Sequence, residues 1–266
     1  MKYFIGANPM RFSASILLDG GKMVIPSDYR RNILSLIKEA INPGQSGTEI
    51  YEKYYVKEAR KIKPFTFSVN FKTDDTNSEK GRLHLSEPKL NLFFSASDPV
   101  FLIYVYNGLV QLKKDYPLFP GLKAKMGRFN LEQQKNFQLS ESVFKTCSPV
   151  LVRDTDASGK SRGYITADRP EFGDRLYHSV KSMCKALLDD ASELKNNDFA
   201  AEWIRSQTVR INHYQNKDAA PDSKKEMIEA TSGTIKIKAP ANVLQLIYDA
   251  GLGAKRSQGF GMLEIL

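Results

Sequence analysis

The chain has 266 residues, 41% of them hydrophobic and 26% charged, which suits one large or two small soluble domains and excludes disordered and collagen-like classes. Lys and Arg outnumber Asp and Glu by 39 to 30, for a formal charge of +9. An excess this large points to a polyanionic partner, because each phosphate contact releases counterions; the plainer reading is a basic soluble protein.

In chain order, residues 10–18 read as a strand. A helix is expected over 29–41, capped by Ser27 or Asp28, because Ile33, Leu36, Ile37 and Ala40 recur at helical spacing; Asn42-Pro43-Gly44 stops it. A second short helix is expected over 48–59. Phe65, Phe67, Val69 and Phe71 alternate with polar residues, the mark of a half-buried strand over 65–71. Strands follow near 82–85 and 89–95. Asp98-Pro99 then opens a helix to about Leu112, since proline suits a first helical turn. Residues 126–140 read as a strand or hairpin. The first half thus has the β-α-β-β-α-β order of a ferredoxin-like unit.

A second series begins with a strand at 148–152 and a hairpin loop at 154–163. A helix over 171–188 carries Leu176, Val180, Met183, Cys184 and Leu187 on one face. Strands at 208–213 and 233–237, a helix over 240–250 and a strand over 259–266 complete the same order. The expected fold is α+β: tandem ferredoxin-like (RRM-like) domains with antiparallel sheets, the first over 1–145 and the second over 146–266.

Cys147 and Cys184 have no metal-ligand spacing, and two thiols in this length suit a reducing compartment. No signal peptide is read, and no apolar run nears the roughly 20 residues that span a bilayer. The expectation is a cytoplasmic protein with no membrane partner, no metal and no cofactor.

The sharpest motif is the segment 251–261. Gly251, Gly253, Gly259 and Gly261 bracket Lys255, Arg256, Ser257 and Gln258. Glycine permits positive φ, exposed amides can hold an anion, and Arg can bind phosphate bidentately. The segment follows a helix and precedes a strand, so it is not a dinucleotide fingerprint. Lys236 and Lys238 share one face of their strand, placed for phosphates or simply for solvent. The run 53–63 holds Lys53, Lys57, Arg60, Lys61 and Lys63, an RNA-facing cluster or a solvated helix face. Tyr54, Tyr55 and Phe260 could stack bases, although single aromatics more often pack in a core. His84, His178 and His213 show no metal spacing.

The pattern Gly-apolar-Gly, five residues, Gly-apolar-Gly resembles the signature loop of the repeat-associated RNA-binding superfamily. Within it the chain looks like the sixth CRISPR-associated protein family, endoribonucleases that process CRISPR precursor RNA. Three further stretches are similar to family motifs: Ile25-Pro26-Ser27-Asp28-Tyr29 leading to Leu36-Ile37, Lys63-Pro64-Phe65-Thr66-Phe67-Ser68, and Thr146-Cys147-Ser148-Pro149-Val150. The resemblance implies tandem ferredoxin-like domains and metal-independent cleavage of repeat RNA. The 2′-hydroxyl would attack the adjacent phosphate, leaving 2′,3′-cyclic phosphate and 5′-hydroxyl ends. It implies precursor and mature guide RNA as partners, and other subunits of a CRISPR effector complex as further ones.

The family often places a histidine just after the first helix. Here Tyr51 stands at that place, and a free tyrosine, with pKa about 10, is a poor base at neutrality. The family's helix tyrosine corresponds to Lys38 and its lysine before the Phe-Thr-Phe-Ser strand to Lys63. The resemblance therefore implies a catalytic group of Lys38, Tyr51 and Lys63, with Lys57 in reserve, and RNA binding by the glycine loop with Lys236 and Lys238. The rival reading is a repeat-RNA-binding subunit that does not cut. A tandem RNA-recognition module is a third, hinted at only by Gly259-Phe260-Gly261.

Overall fold

The computed structural model describes residues 10–42, 48–56, 61–74, 81–112, 115–156, 161–188, 194–213 and 226–266. The first half runs β1 (Arg11–Gly20), β2 (Val24–Pro26), α1 (Arg30–Ala40), α2 (Thr48–Tyr55), β3 (Phe65–Asn70), β4 (Arg82–His84), β5 (Lys89–Ala96), α3 (Pro99–Gln111), β6 (Tyr116–Phe119) and β7 (Leu122–Leu131). β3, β5, β1, β7 and β6 pair in that order as an antiparallel sheet, and β2 pairs with β4. β1 buries Phe12, Ala14, Ile16 and Leu18 in a core shared with Ile33, Leu36 and Ile37 of α1 and Phe101, Leu102 and Val105 of α3. Its alternate residues Ser13, Ser15 and Leu17 belong to the other face, as a period of two requires.

The second half runs β8 (Glu141–Thr146), β9 (Val152–Thr155), β10 (Ser161–Ile165), α4 (Phe172–Leu187), β11 (Ala200–His213), β12 (Glu226–Lys238), α5 (Ala241–Ala250) and β13 (Leu263–Ile265). β11, β12, β8 and β13 form an antiparallel sheet, and β9 and β10 a hairpin. The sheet buries Phe144, Ile235 and Ile237 against Leu176, Val180 and Met183 of α4 and Val243, Leu244 and Ile247 of α5. Both halves repeat one unit, and the α+β, tandem ferredoxin-like expectation holds. Among the described residues no helix is long and apolar enough to cross a membrane.

Several local expectations need correction. Ser27 and Asp28 do not cap α1; its N-cap is Tyr29, with no side-chain capping bond, and Asp28 instead approaches Arg31 at 4.0 Å. The hairpin of β6 and β7 begins ahead of the strand expected at 126–140. β8 was not foreseen, because its outward residues Glu141 and Lys145 are charged and only Phe144 is fully buried. It pairs in the second sheet, so the chain crosses between sheets ahead of the expected division at 145/146. β11 starts well before residue 208, and a register shift between Trp203 and Arg205 breaks the alternation there. The end of the expected 48–59 helix lies outside the described residues.

Asp98 starts α3 as expected, accepting from the N–H groups of Val100 at 2.9 Å and Phe101 at 3.1 Å. The same carboxylate ties down α2: Tyr54 Oη donates to it at 2.8 Å and Lys53 Nζ at 3.1 Å. Burial alone would raise the Asp98 pKa, but the bonds from Phe101, Tyr54 and Lys53 outweigh it and hold the carboxyl below its usual range. Replacing Asp98 by Ala should cost about 1–2 kcal/mol, as other lost N-caps do. Urea titration at pH 7 checks this, and an unchanged midpoint would contradict it.

The two sheets meet along a polar seam. Arg11, only 3% exposed, lies over the Tyr248 ring, 3.4 Å from its centroid. It donates to Glu264 Oε2 at 3.2 Å and to the Tyr248 carbonyl oxygen. Ser95 Oγ donates to the Asp249 carbonyl oxygen at 2.7 Å. Asp249 itself is buried, and burial pushes its carboxyl up to about 6, partly offset by Gln245, Arg11 and Gln134. An acid with a raised folded pKa favours its neutral form in the fold. Its contribution is therefore best below about pH 4 and is lost as pH rises through about 6. Asp249→Asn should stabilise the protein by about 1–3 kcal/mol at pH 8 and lose that advantage near pH 4. Thermal melts at both pH values check the sign.

Candidate functional site

Lys38, Tyr51 and Lys63 come from three separate segments and meet around one ring. Tyr51 and Tyr55 are four residues apart on α2, so they share a helix face, and their rings stack with centroids 5.5 Å apart. Lys38, in the last turn of α1, brings its Nζ to 5.1 Å from the Tyr55 centroid. Lys63, just before β3, brings its Nζ to 5.2 Å from the same centroid and donates to the Lys61 carbonyl oxygen at 3.4 Å. Both distances suit cation–π attraction. The Asp98 bonds to Lys53 and Tyr54 fix α2, and so fix the two stacked rings.

The electrostatics differ within the group. Burial lowers the Lys63 pKa, which eases release of its proton. Tyr55 goes the other way: burial first, then neighbouring Tyr51, raise its pKa well above the ordinary tyrosine value, so it stays a neutral phenol. Its Oη is buried without a hydrogen-bond partner among the described residues. Tyr55 is thus the platform that presents the two cations. Sequence reading missed this role; the i, i+4 spacing of Tyr51 and Tyr55 was the available signal. Lys57 and Arg60 lie outside the described residues. His84 stands on β4 opposite Val24, His178 is exposed on α4, and the His213 side chain is not among those described. Among the described residues no three His, Cys, Asp or Glu side chains gather as a metal site would need.

The glycine segment does something different from what its sequence suggests. It folds back on itself and wedges against the first sheet. The N–H groups of Leu252, Ala254 and Gly261 donate to the carbonyl oxygens of Gly261, Leu151 and Pro149 at 2.8, 2.7 and 2.8 Å. Those of Gln258 and Gly259 are spent within the turn. Thr66 Oγ1 of β3 donates to the Phe260 carbonyl oxygen at 2.8 Å, and Arg30 Nε of α1 to that of Gly259 at 3.2 Å. Gly259 has φ +86°, and a Cβ there would lie 2.7 Å from the Phe67 ring of β3. Gly261 has φ +70°, and a Cβ would lie 1.9 Å from the Leu252 carbonyl oxygen. Gly259 is required by the seam between the sheets and Gly261 by the loop's fold back onto Leu252, whatever else the loop binds.

Arg256, expected in this loop as a phosphate-binding side chain, is turned inward. It is 8% exposed and donates from Nη1 to the Ala250 carbonyl oxygen at 2.8 Å, closing the C-terminus of α5. Burial pulls its pKa down to about 10, so it still carries charge at neutral pH. Gly251 and Gly253 are buried as well. Lys255, Ser257 and Gln258 are half-buried at the rim; Lys255 adopts φ 54° and its Nζ lies 5.8 Å from the Tyr164 centroid. On β12, Ile235 and Ile237 enter the core while Lys238 is exposed and Lys236 pairs with Glu141 at 3.2 Å.

Solved structures share this fold from end to end. A Cas6-related protein from Pyrococcus furiosus matches with TM-score 0.78 at 21% identity, over 97% of this chain and 98% of that one. An RAMP protein described as binding different RNA substrates matches with TM-score 0.73 at 19% identity, over 97% and 99%. A CRISPR associated protein Cas6 matches with TM-score 0.69 at 20% identity, again over 97% and 99%. No curated protein matches the chain by sequence. The family model for CRISPR associated protein Cas6, C-terminal, covers residues 131–265, half of the chain and nearly all of the second ferredoxin-like unit with its glycine loop. The protein belongs to the CRISPR-associated Cas6 family.

Proposed function

We propose that this protein binds CRISPR repeat RNA and cuts it by attack of a 2′-hydroxyl on the adjacent phosphate, without a metal ion. The observation that carries this reading is the convergence of Lys38, Tyr51 and Lys63 on the Tyr55 ring. Transfer to the 2′-oxygen forms one P–O bond and breaks the bond to the 5′-oxygen. It needs a proton acceptor at the first oxygen, a donor at the second, and positive charge on the pentacoordinate phosphorus. Two lysines against one neutral ring supply the charge. Lys63, with its lowered pKa, is the group suited to hand a proton to the leaving 5′-oxygen. Tyr51 takes the place of the family's histidine beside the 2′-oxygen, whose proton passes from there to solvent water. Basic Lys255 at the loop rim and Lys238 on β12 extend the surface that meets the phosphate backbone.

Two experiments test this. Replacing the attacking 2′-hydroxyl by hydrogen should abolish cleavage while leaving binding intact; continued cleavage would reject the mechanism. The second is a pH profile. Lys63 acts protonated, and burial lowers its pKa, so the rate should fall on the alkaline side with a midpoint below the ordinary lysine value of 10.5. Lys63→Arg should abolish that alkaline fall and most of the rate with it, because a guanidinium keeps its charge but does not give up its proton. An unmoved midpoint would assign the step to another group.

A further inference from the structure

A cavity of about 300 Å³ opens beside the β9–β10 hairpin, lined by Gly163, Tyr164, Arg210, Met227, Ile228 and Glu229. Ile228 turns its side chain into a buried cluster with Leu151, Ile211, Ala230 and Phe260, against which Tyr164 packs, whereas the alternation of β11 and β12 puts Arg210, Met227 and Glu229 on the other face; the cavity opens where β10 meets β12. Met227 is 59% exposed at its edge. Gly163 sits at a register shift in β10, with φ +117° and nothing within 4 Å of where a Cβ would stand, so the bulge leaves the mouth open. The polar wall is a single ion pair, Arg210 Nε to Glu229 Oε1 at 3.1 Å, with the Arg210 side chain largely and that of Glu229 about half in solvent. Such exposed pairs hold weakly and can exchange partners. Lys255 joins the cavity to the glycine loop by lying against Tyr164.

Tyr164, apolar Met227 at the rim, one acceptor carboxylate and one donor guanidinium match a flat heterocycle with both donors and acceptors on its edge. The volume is at the small end for ligand sites and suits one ring system. Lys255 brings positive charge toward a phosphate strand passing the mouth, and Arg162 and Arg210, which face Asp156 at 4.0 Å and Glu229 at 3.1 Å, can turn to it by exchanging those exposed partners. We propose that this cavity takes one unpaired nucleobase of the bound RNA, stacked on Tyr164 and hydrogen-bonded through Arg210 and Glu229. The proposal rests on the RNA-binding reading above and adds a position at which sequence can be read.

The test uses the full chain and a labelled repeat RNA from the source genome, with a matched series carrying one abasic site at each position in turn. Wild type should lose roughly 5- to 100-fold in affinity at one position, the range of base–aromatic stacking. Tyr164→Ala should bind the intact RNA with a similar loss and be indifferent to that same abasic site, while Tyr164→Phe keeps the wild-type pattern. Arg210→Ala, an exposed side chain, repeats the coupling test without touching the packing. If wild type binds but no abasic position is coupled to Tyr164 or Arg210, the pocket is overturned while RNA binding stands. Saturable binding of free mononucleotides that depends on Tyr164, without abasic sensitivity, would assign the cavity to a free nucleotide and overturn the strand proposal. Failure of wild type to bind the repeat would remove both readings.

Discussion

Lys63→Ala should slow single-turnover cleavage by about 10²–10⁴-fold, the usual contribution of a group that moves a proton in the transition state. Lys38→Ala should cost a comparable factor, because its ammonium rests on the same ring and faces the same charge. The comparison has to be made with protein in excess, so that weaker RNA binding cannot pass for lost chemistry. Tyr51→Phe separates roles: a large loss assigns the hydroxyl to proton transfer, whereas a small one leaves Tyr51 only its stacking on Tyr55. Tyr55→Phe should have little effect, since the Tyr55 hydroxyl is buried and the ring that holds the cations is kept. Wild-type rates in both lysine variants would move the chemistry away from this cluster.

Gly261→Ala should be the most damaging single change to the glycine loop. Its φ of +70° strains any side chain, and the added carbon would stand 1.9 Å from a backbone oxygen that cannot rotate away. Left-handed strain and overpacking together should cost about 2–5 kcal/mol. Gly121→Ala is the control: its φ is also positive, at +75°, but nothing lies within 4 Å of the added carbon, so only the strain of about 1–2 kcal/mol remains. Denaturant melts should rank the two in that order, and equal losses would contradict the wedged loop. Because the loop seats on Thr66 and Phe67, Gly261→Ala should also weaken RNA binding through the fold, without removing a contact to RNA.

The helices were legible because their apolar residues recur at the spacing the element imposes: Ile33, Leu36, Ile37 and Ala40 of α1 are all buried. β3 is a strand as expected but not a half-buried one over 65–71: it ends at Asn70, and Thr66 and Ser68 are buried along with Phe65 and Phe67, because the glycine loop seats on Thr66. β8 was illegible because its central position in the sheet comes from pairing with β12 and β13, which lie far along the chain. β11 hides its first half behind the shift near Ile204, an apolar residue that points to solvent at 60% exposure. The site divides in the same way. Resemblance to the family singled out Lys38, Tyr51 and Lys63 one by one, but their meeting at Tyr55 depends on how α2 is tied to Asp98. Arg256 misled because its neighbours are glycines; its burial follows from the loop turning back to the Ala250 carbonyl oxygen, which local sequence does not record. Likewise, Thr66 and Ser95 read as ordinary strand polar residues, yet they hold the second domain against the first.

The most direct measurement is incubation of the purified protein with a matched CRISPR repeat RNA in EDTA, followed by analysis of the ends of any product. The expected result is a single cut that leaves a 2′,3′-cyclic phosphate and a 5′-hydroxyl, undiminished by the chelator. Activity that disappears in EDTA and returns with magnesium, or tight binding with no cut at all, would contradict a lysine–tyrosine site that uses the RNA's own hydroxyl.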